Sequence, residues 1–220
     1  MGVARFLKEV KNFAVVIVAA SSVACASHKE PSWTAGAKEG HPWGYYSASP
    51  ITRWEPDGRN MTLISELRYT DPNGVVWIAP AGSVVDGASI PRSLWSIMGG
   101  PFEGKYRNAS ILHDVAYDEH NRPWQDCDRM FYNAMRCNGV NSVEAKTMYY
   151  ALHKFGRHWK VSIKKAKRVK PSELAAQKSK AEIPRALPVN ESEINETRDW
   201  IRNADPTLEE IEQRADAESQ

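Results

Sequence analysis

The stretch YRNASILHDVAYDEHNRPWQDCDRMFYNAMRCNGVNSVEAKTMYYALHKFG, residues 106–156, decides the fold. Apolar residues recur in it every three or four positions, which is typical of amphipathic helices. The pattern predicts three helices, over about 106–119, 123–137 and 141–156. Pro123 suits a first helical position, and Gly139 suits the residue that follows a helix. Asn141 and Glu144 have the spacing of a capping box, which marks the start of the third helix.

The segment before these helices predicts a small antiparallel sheet. Residues 61–69 and 75–78 have strand composition, and Thr70-Asp71-Pro72-Asn73-Gly74 separates them. This separator is typical of a turn, because Pro fixes φ and Gly accepts a positive φ. Residues 61–78 therefore predict a β-hairpin. The fold class predicted is α+β, with a small antiparallel β-sheet followed by a three-helix unit whose first two helices are antiparallel neighbours.

Composition excludes several classes of protein. The 220 residues are 42% hydrophobic and 25% charged, which excludes a wholly disordered chain, a collagen and a multi-span membrane protein. The net charge of +2 gives no general case for nucleic-acid binding, and none is expected. Cys127 and Cys137 lie about 15 Å apart along a helix at ~1.5 Å per residue. A disulfide tolerates about 7 Å, so these two cysteines should not pair, and the fold needs an apolar core.

The amino terminus predicts an export signal over residues 1–24. Basic residues precede the uncharged run Phe13–Ala24, which is too short to span a bilayer but fits a signal peptide. Cys25 follows Ser22-Val23-Ala24, a pattern that resembles a bacterial lipobox. The expected location is therefore the cell envelope or periplasm, with membrane anchoring through a lipidated Cys25. Two alternatives stay open: an ordinary cleavage site around Cys25, or a buried N-terminal helix.

The composition changes along the rest of the chain. Residues 25–45 predict a tether, 46–160 a compact α+β domain, and 161–220 a tail that is extended or partly helical. Lys154–Lys170 holds eight basic residues and no acidic one, which favours attraction to anionic lipid headgroups or a solvated face. Glu191–Gln220 holds ten acidic residues. This charge predicts either a solvated tail or a segment that folds against a partner or against the basic run. The sequence does not identify a protein partner.

One group of polar residues suggests chemistry. His113 and Tyr117 are four residues apart and share a helix face. His113 lies as far before the first helix–helix connection as Asp128 lies after it, so the two should meet on facing helices. A carboxylate that orients an imidazole is the arrangement of a hydrolytic general base. Asp114 could hold Ca²⁺ together with carbonyls of a glycine-rich loop around Gly99 and Gly100.

His113-Asp114-x-x-Tyr117 followed by Asp128-x-x-Phe131 resembles the phospholipase A2 superfamily, especially its small disulfide-free branches. The resemblance implies that His113 is the general base, that Asp128 orients it with help from Tyr117, and that Asp114 binds Ca²⁺. The chain lacks the paired cysteines that begin this helix in the secreted enzymes.

A longer pattern covers residues 60–156. Val85-Asp86-Gly87-Ala88-Ser89-Ile90-Pro91, Leu112-His113-Asp114 and Asp128-Arg129-Met130-Phe131 resemble a family of uncharacterised phage and bacterial proteins. The resemblance implies a phage-linked context and no defined activity. Asp86, Ser89, Gly99 and Gly100 are candidates for lining a pocket. The alternatives are that Asp86 and Ser89 build a tight turn, or that Ser89 is a nucleophile.

Two functions remain in competition. The first is an exported, lipid-anchored esterase of the phospholipase A2 type that hydrolyses phospholipid acyl esters at a membrane surface. The second is a non-enzymatic envelope or phage-associated lipoprotein that keeps the His-Asp-Tyr network as scaffold. An accessible cavity beside His113 favours the esterase, and a sealed imidazole favours the scaffold.

Overall fold

The computed structural model describes residues 41–87, 95, 99–100, 102–161 and 189–218. The predicted signal peptide, Cys25, most of the tether, Ser89 and most of the basic run lie outside these residues. Among the described residues, no helix is both long and apolar enough to cross a lipid bilayer.

Six short strands form two antiparallel sheets of three strands each. The strand order is β1-β4-β5 in the first sheet and β2-β3-β6 in the second. The strands are β1 Tyr45–Tyr46, β2 Thr52–Trp54, β3 Met61–Leu63, β4 Leu67–Thr70, β5 Val76–Ala79 and β6 Val84–Val85.

Strands β4 and β5 form the hairpin of the first sheet. Asp71 organises its turn: one carboxylate oxygen accepts the Asn73 and Val75 amides at 2.9 and 3.0 Å, and the other accepts the Trp77 indole N–H at 3.2 Å. Gly74 has φ +79°, the conformation expected from the turn sequence. The hairpin predicted near 61–78 is confirmed in β4 and β5, whereas Met61–Leu63 pairs with β2 and β6 in the second sheet.

Three helices follow the strands: α1 Arg107–Glu119, α2 Trp124–Cys137 and α3 Ser142–Phe155. They confirm the predicted three-helix unit and, with the sheets, the α+β class. The Asn141 side chain accepts the Glu144 amide at 2.9 Å and caps α3, as the sequence predicted. Helices α1 and α2 pack against each other across the short connection 120–123.

The core lies between the sheets and the helices. Its fully buried large side chains include Leu63 and Tyr69 from the strands and Tyr117, Phe131 and Tyr149 from the helices. Cys127 and Cys137 are buried and free, which confirms that they do not pair with each other.

Two further helices lie near the carboxyl terminus: α4 Glu191–Ala204 and α5 Leu208–Ala217. Thr207 and Glu210 form a complete capping box at the start of α5. Both helices pack against α3, and Ile194, Ile201 and Ile211 are buried in the contact.

Candidate functional site

His113 on α1 and Asp128 on α2 lie in contact, as their equal distances from the connecting loop predicted. The His113 Nε2 atom lies 2.9 Å from Asp128 Oδ1, and both side chains have no exposed surface. The Tyr117 hydroxyl donates to the same oxygen at 2.5 Å. We call these three residues the His-Asp-Tyr network. It places the Tyr117 hydroxyl and one imidazole nitrogen on the same carboxylate oxygen, which orients the imidazole.

Aromatic rings enclose the imidazole of His113. Its centroid lies 4.0 Å from that of Tyr117 and 4.8 Å from that of Phe131. Phe131 follows Asp128 by three residues on α2 and so lies on the same helix face. The network is therefore held by packing as well as by hydrogen bonds.

The electrostatics of the network keep Tyr117 protonated. Burial raises its pKa well above the usual value, and the charge of Asp128 raises it further. A neutral tyrosine remains a hydrogen-bond donor, which suits the role of supporting a carboxylate. The second carboxylate oxygen of Asp128, Oδ2, is buried and has no hydrogen-bond partner in the described part of the chain.

Asp114 lies one residue after His113 and points elsewhere. Its Oδ2 atom accepts the Gly87 amide at 2.6 Å, and the residue is 5% exposed. Gly87 follows β6 by two residues, so this bond ties the end of the second sheet to α1. Asp86 binds Arg59 through a 2.8 Å ion pair that is partly exposed.

Asp114 is the residue at which the sequence predicts a calcium ion. No group of three or more His, Cys, Asp or Glu side chains in the described ranges has the arrangement of metal ligands. One oxygen of Asp114 is already engaged by a backbone amide. Binding of Ca²⁺ at Asp114 stays a prediction.

Gly99 lies in a cavity that the network does not line. This cavity has a volume of about 430 Å³ and is bordered by Glu103, Tyr106 and Glu144 among others. Gly100 accepts the Tyr106 hydroxyl at 2.7 Å. His113, Asp128 and Tyr117 line neither this cavity, nor the one beside Lys154, nor the one beside Trp77.

Sequence reasoning missed two residues beside the network. Trp159 packs edge-on against Tyr117 at 4.8 Å and donates its indole N–H to the Arg122 carbonyl at 2.9 Å. The Arg157 guanidinium lies 5.8 Å from the Tyr117 ring centroid. Both residues follow the end of α3 and lie in the basic run Lys154–Lys170. The signal in the sequence was Trp159, an aromatic residue among the basic ones.

Comparison with known proteins identifies relatives without an assigned activity. The chain is 43% identical over 124 residues to an uncharacterized protein, y4jT, of Sinorhizobium fredii (strain NBRC 101917 / NGR234), and this match covers 56% of the chain and 37% of that protein. It is 37% identical over 103 residues to a second uncharacterized protein of the same strain, y4iH, covering 47% of the chain and 43% of that protein. The chain thus spans less than half the length of either relative. No solved structure is significantly similar to it.

The similarity to a family is centred on the elements that carry the network. The matched residues run from the start of β3 into α3 and include His113, Tyr117 and Asp128. Residues 189–218 lie outside the match. Over residues 61–152 the chain is similar to the family described as protein of unknown function (DUF1353).

Proposed function

We propose that the His-Asp-Tyr network is the general-base centre of an esterase of the phospholipase A2 type, acting on phospholipid acyl esters. The observation that carries the proposal is the 2.9 Å contact between His113 and Asp128, together with the Tyr117 hydroxyl on the same oxygen. This is the residue set, and the pairing, that the sequence resemblance to the phospholipase A2 superfamily implies.

In this mechanism His113 acts on water. Asp128 accepts a hydrogen bond from the Nε2–H group and fixes the imidazole, and the other ring nitrogen takes a proton from a water molecule. The resulting hydroxide equivalent attacks the ester carbonyl, the acyl C–O bond breaks, and the imidazolium returns the proton to the leaving alkoxide. The products are a fatty acid and a lysophospholipid. Tyr117 positions Asp128, and Asp128 stabilises the imidazolium through its charge.

The proposed location follows from the amino terminus. We propose that the chain is exported and held at a membrane by lipidation of Cys25, which would concentrate it at its substrate. Fractionation of cells that produce the wild type and Cys25→Ser tests this step separately. Wild-type protein in the membrane fraction and variant protein in the soluble fraction support anchoring. Wild-type protein in the cytosol alone would refute it.

A second candidate function rests on burial. His113 and Asp128 have no exposed side-chain surface, and the described cavities do not reach them. This observation favours a non-enzymatic protein in which the network stabilises the contact between α1 and α2. The esterase therefore requires an opening beside His113 that admits the ester.

Vesicle hydrolysis decides between these functions. Purified protein is incubated with phospholipid vesicles, with and without Ca²⁺, and fatty acid is measured. The esterase predicts release by the wild type and a loss of about 100-fold or more in His113→Gln, the range for removal of a general base. The matched control is His41→Gln, which changes a histidine that precedes β1 and accepts the Trp43 amide at 3.3 Å. No release by the wild type, with marked destabilisation of His113→Gln, supports the scaffold.

A further inference from the structure

Residues 190–218, which we call the acidic cap, lie on a cationic surface of the three-helix unit. Lys154 on α3 forms ion pairs with Glu193 and, at 3.3 Å, with Glu218. Lys146, two turns earlier on α3, pairs at 2.5 Å with Asp205, which ends α4. Lys154 therefore holds both ends of the cap, and Lys146 holds the turn between α4 and α5.

The cap also contacts α2 through its last helix. Arg129, the residue after Asp128, pairs with Glu209 at 3.1 Å and with Glu212 at 2.6 Å. His153 on α3 lies 3.2 Å from Asp216. We call Arg129, Lys146 and Lys154 together the cationic face.

Two tyrosines complete this face. Tyr149 donates to Glu212, and the Tyr150 hydroxyl lies within hydrogen-bond distance of Glu193 and Glu218 and donates to one of them at a time. Each hydroxyl therefore reaches a carboxylate of the cap. The covered surface combines positive charge, hydroxyl donors and aromatic rings.

Burial in this contact is asymmetric. The side chains of Lys146 and Lys154 are 10% and 7% exposed, whereas Asp205 is 81% exposed. The cations of α3 are thus covered by the cap, while some of its acids remain in solvent. Ion pairs with one exposed partner are weakened by salt and by competing anions. The buried apolar anchors of the cap are few, chiefly Ile194, Ile201 and Ile211.

The chemistry beneath the cap matches an anionic phospholipid surface. Basic side chains attract phosphate headgroups, and tyrosines suit the boundary between headgroups and acyl chains. The cationic face ends at the beginning of the basic run Lys154–Lys170, which adds further positive charge in the chain. An acidic helix that covers such a surface competes with the membrane for the same cations.

We propose that the cationic face is a docking site for anionic phospholipid, and that the acidic cap occupies it in the free protein. Release of the cap exposes the face, and lipid headgroups replace the carboxylates. The proposal does not require esterase activity, since it concerns binding alone.

Two full-length variants loosen the cap in different ways. Glu193→Gln with Glu218→Gln removes the partners of Lys154. Ile201→Asp places a charge in the contact at a residue that is 1% exposed, and so expels α4. The matched control for the first is Glu196→Gln with Asp199→Asn, which removes the same charge from acids whose contacts stay within α4.

Hydrogen exchange measures release of the cap, and co-sedimentation with vesicles measures binding. We expect faster exchange in 191–217 but not in 107–137 for both loosened variants. Their affinity for phosphatidylglycerol vesicles should rise about tenfold or more above wild type and control, with little change for phosphatidylcholine. Ile201→Asp lowers the net charge, so tighter binding by it cannot arise from added positive charge.

A synthetic peptide of residues 189–218 provides a competitor. It should displace the loosened variants from phosphatidylglycerol vesicles because it binds the same face. The proposal is overturned if the loosened variants bind these vesicles no better than the control. It is also overturned if exchange in 191–217 is unchanged in both variants, since the cap then does not detach. Binding of the peptide without binding of vesicles would show a surface specific for acidic helices and would equally refute a lipid site.

Discussion

Replacing Tyr117 with Phe isolates the hydrogen bond that supports Asp128. The hydroxyl donates to Asp128 Oδ1 at 2.5 Å, and the ring stays packed between His113 and Trp159. Because both residues are fully buried, water does not replace the lost donor. A hydrogen bond to a charged group contributes about 1.5–3 kcal/mol. We expect Tyr117→Phe to lower the free energy of unfolding by about 2 kcal/mol.

Urea unfolding followed by tryptophan fluorescence measures this change. With a slope of about 2 kcal/mol per molar urea, the midpoint should fall by about 1 M. Tyr46→Phe is the matched control, since its hydroxyl donates to the neutral Ala134 carbonyl at 3.1 Å. That change should cost only about 1 kcal/mol. Equal decreases in the free energy of unfolding for the two variants would show that the hydrogen bond from Tyr117 to Asp128 is no stronger than one to a neutral carbonyl. The charge-assisted hydrogen bond in the network would then be refuted.

Three other predictions concern the fold. Burial raises the pKa of the Cys137 thiol to about 12 and also raises that of the Cys127 thiol. Iodoacetamide near pH 8 should therefore label both thiols at least about 100-fold faster in urea than in the native protein. Equal labelling rates would contradict their burial. Burial raises the pKa of seven tyrosines, Tyr46, Tyr69, Tyr106, Tyr117, Tyr132, Tyr149 and Tyr150. Absorbance near pH 11 should therefore show that most tyrosines stay protonated in the native protein and ionise in urea. Above about pH 10 the unfolded chain binds fewer protons than the native protein, so the free energy of unfolding should fall as the pH rises. Urea midpoints that do not change with pH would refute this prediction. Gly44→Ala should lower the free energy of unfolding, measured by urea unfolding, by about 3 kcal/mol. Gly44 has φ +76°, and the new Cβ would lie 2.1 Å from the Thr70 carbonyl oxygen. Gly74→Ala, at φ +79° with open space around the new Cβ, should lower the free energy of unfolding by only about 1–2 kcal/mol. Equal losses in Gly44→Ala and Gly74→Ala would show that the contact with Thr70 contributes nothing.

The helical half of the fold was accessible from the sequence because its signals are local. Apolar spacing, Pro123, Gly139 and the Asn141 cap fix the helices within a few residues. The contact between His113 and Asp128 was also accessible, since a short connection aligns positions at equal distances from it.

The sheets and the cap were less accessible, because they depend on distant partners. Strands of two to four residues are too short to show an alternating pattern, so the separation of Met61–Leu63 from the hairpin left no local signal. The packing of α4 and α5 on α2 and α3 involves ion pairs between residues 39–83 positions apart. Charge patterning indicated attraction between the basic and acidic segments, but not which side chains would meet.

The three members of the network lie within sixteen consecutive residues, with His113 and Asp128 fifteen positions apart. Closing so short a segment costs little chain entropy, so α1 and α2 can meet before the strands have found their partners. This helical hairpin is therefore a candidate nucleus for folding. If it is, substitutions at the interface of α1 and α2 will slow refolding, whereas those in β1 or β2 will mainly accelerate unfolding.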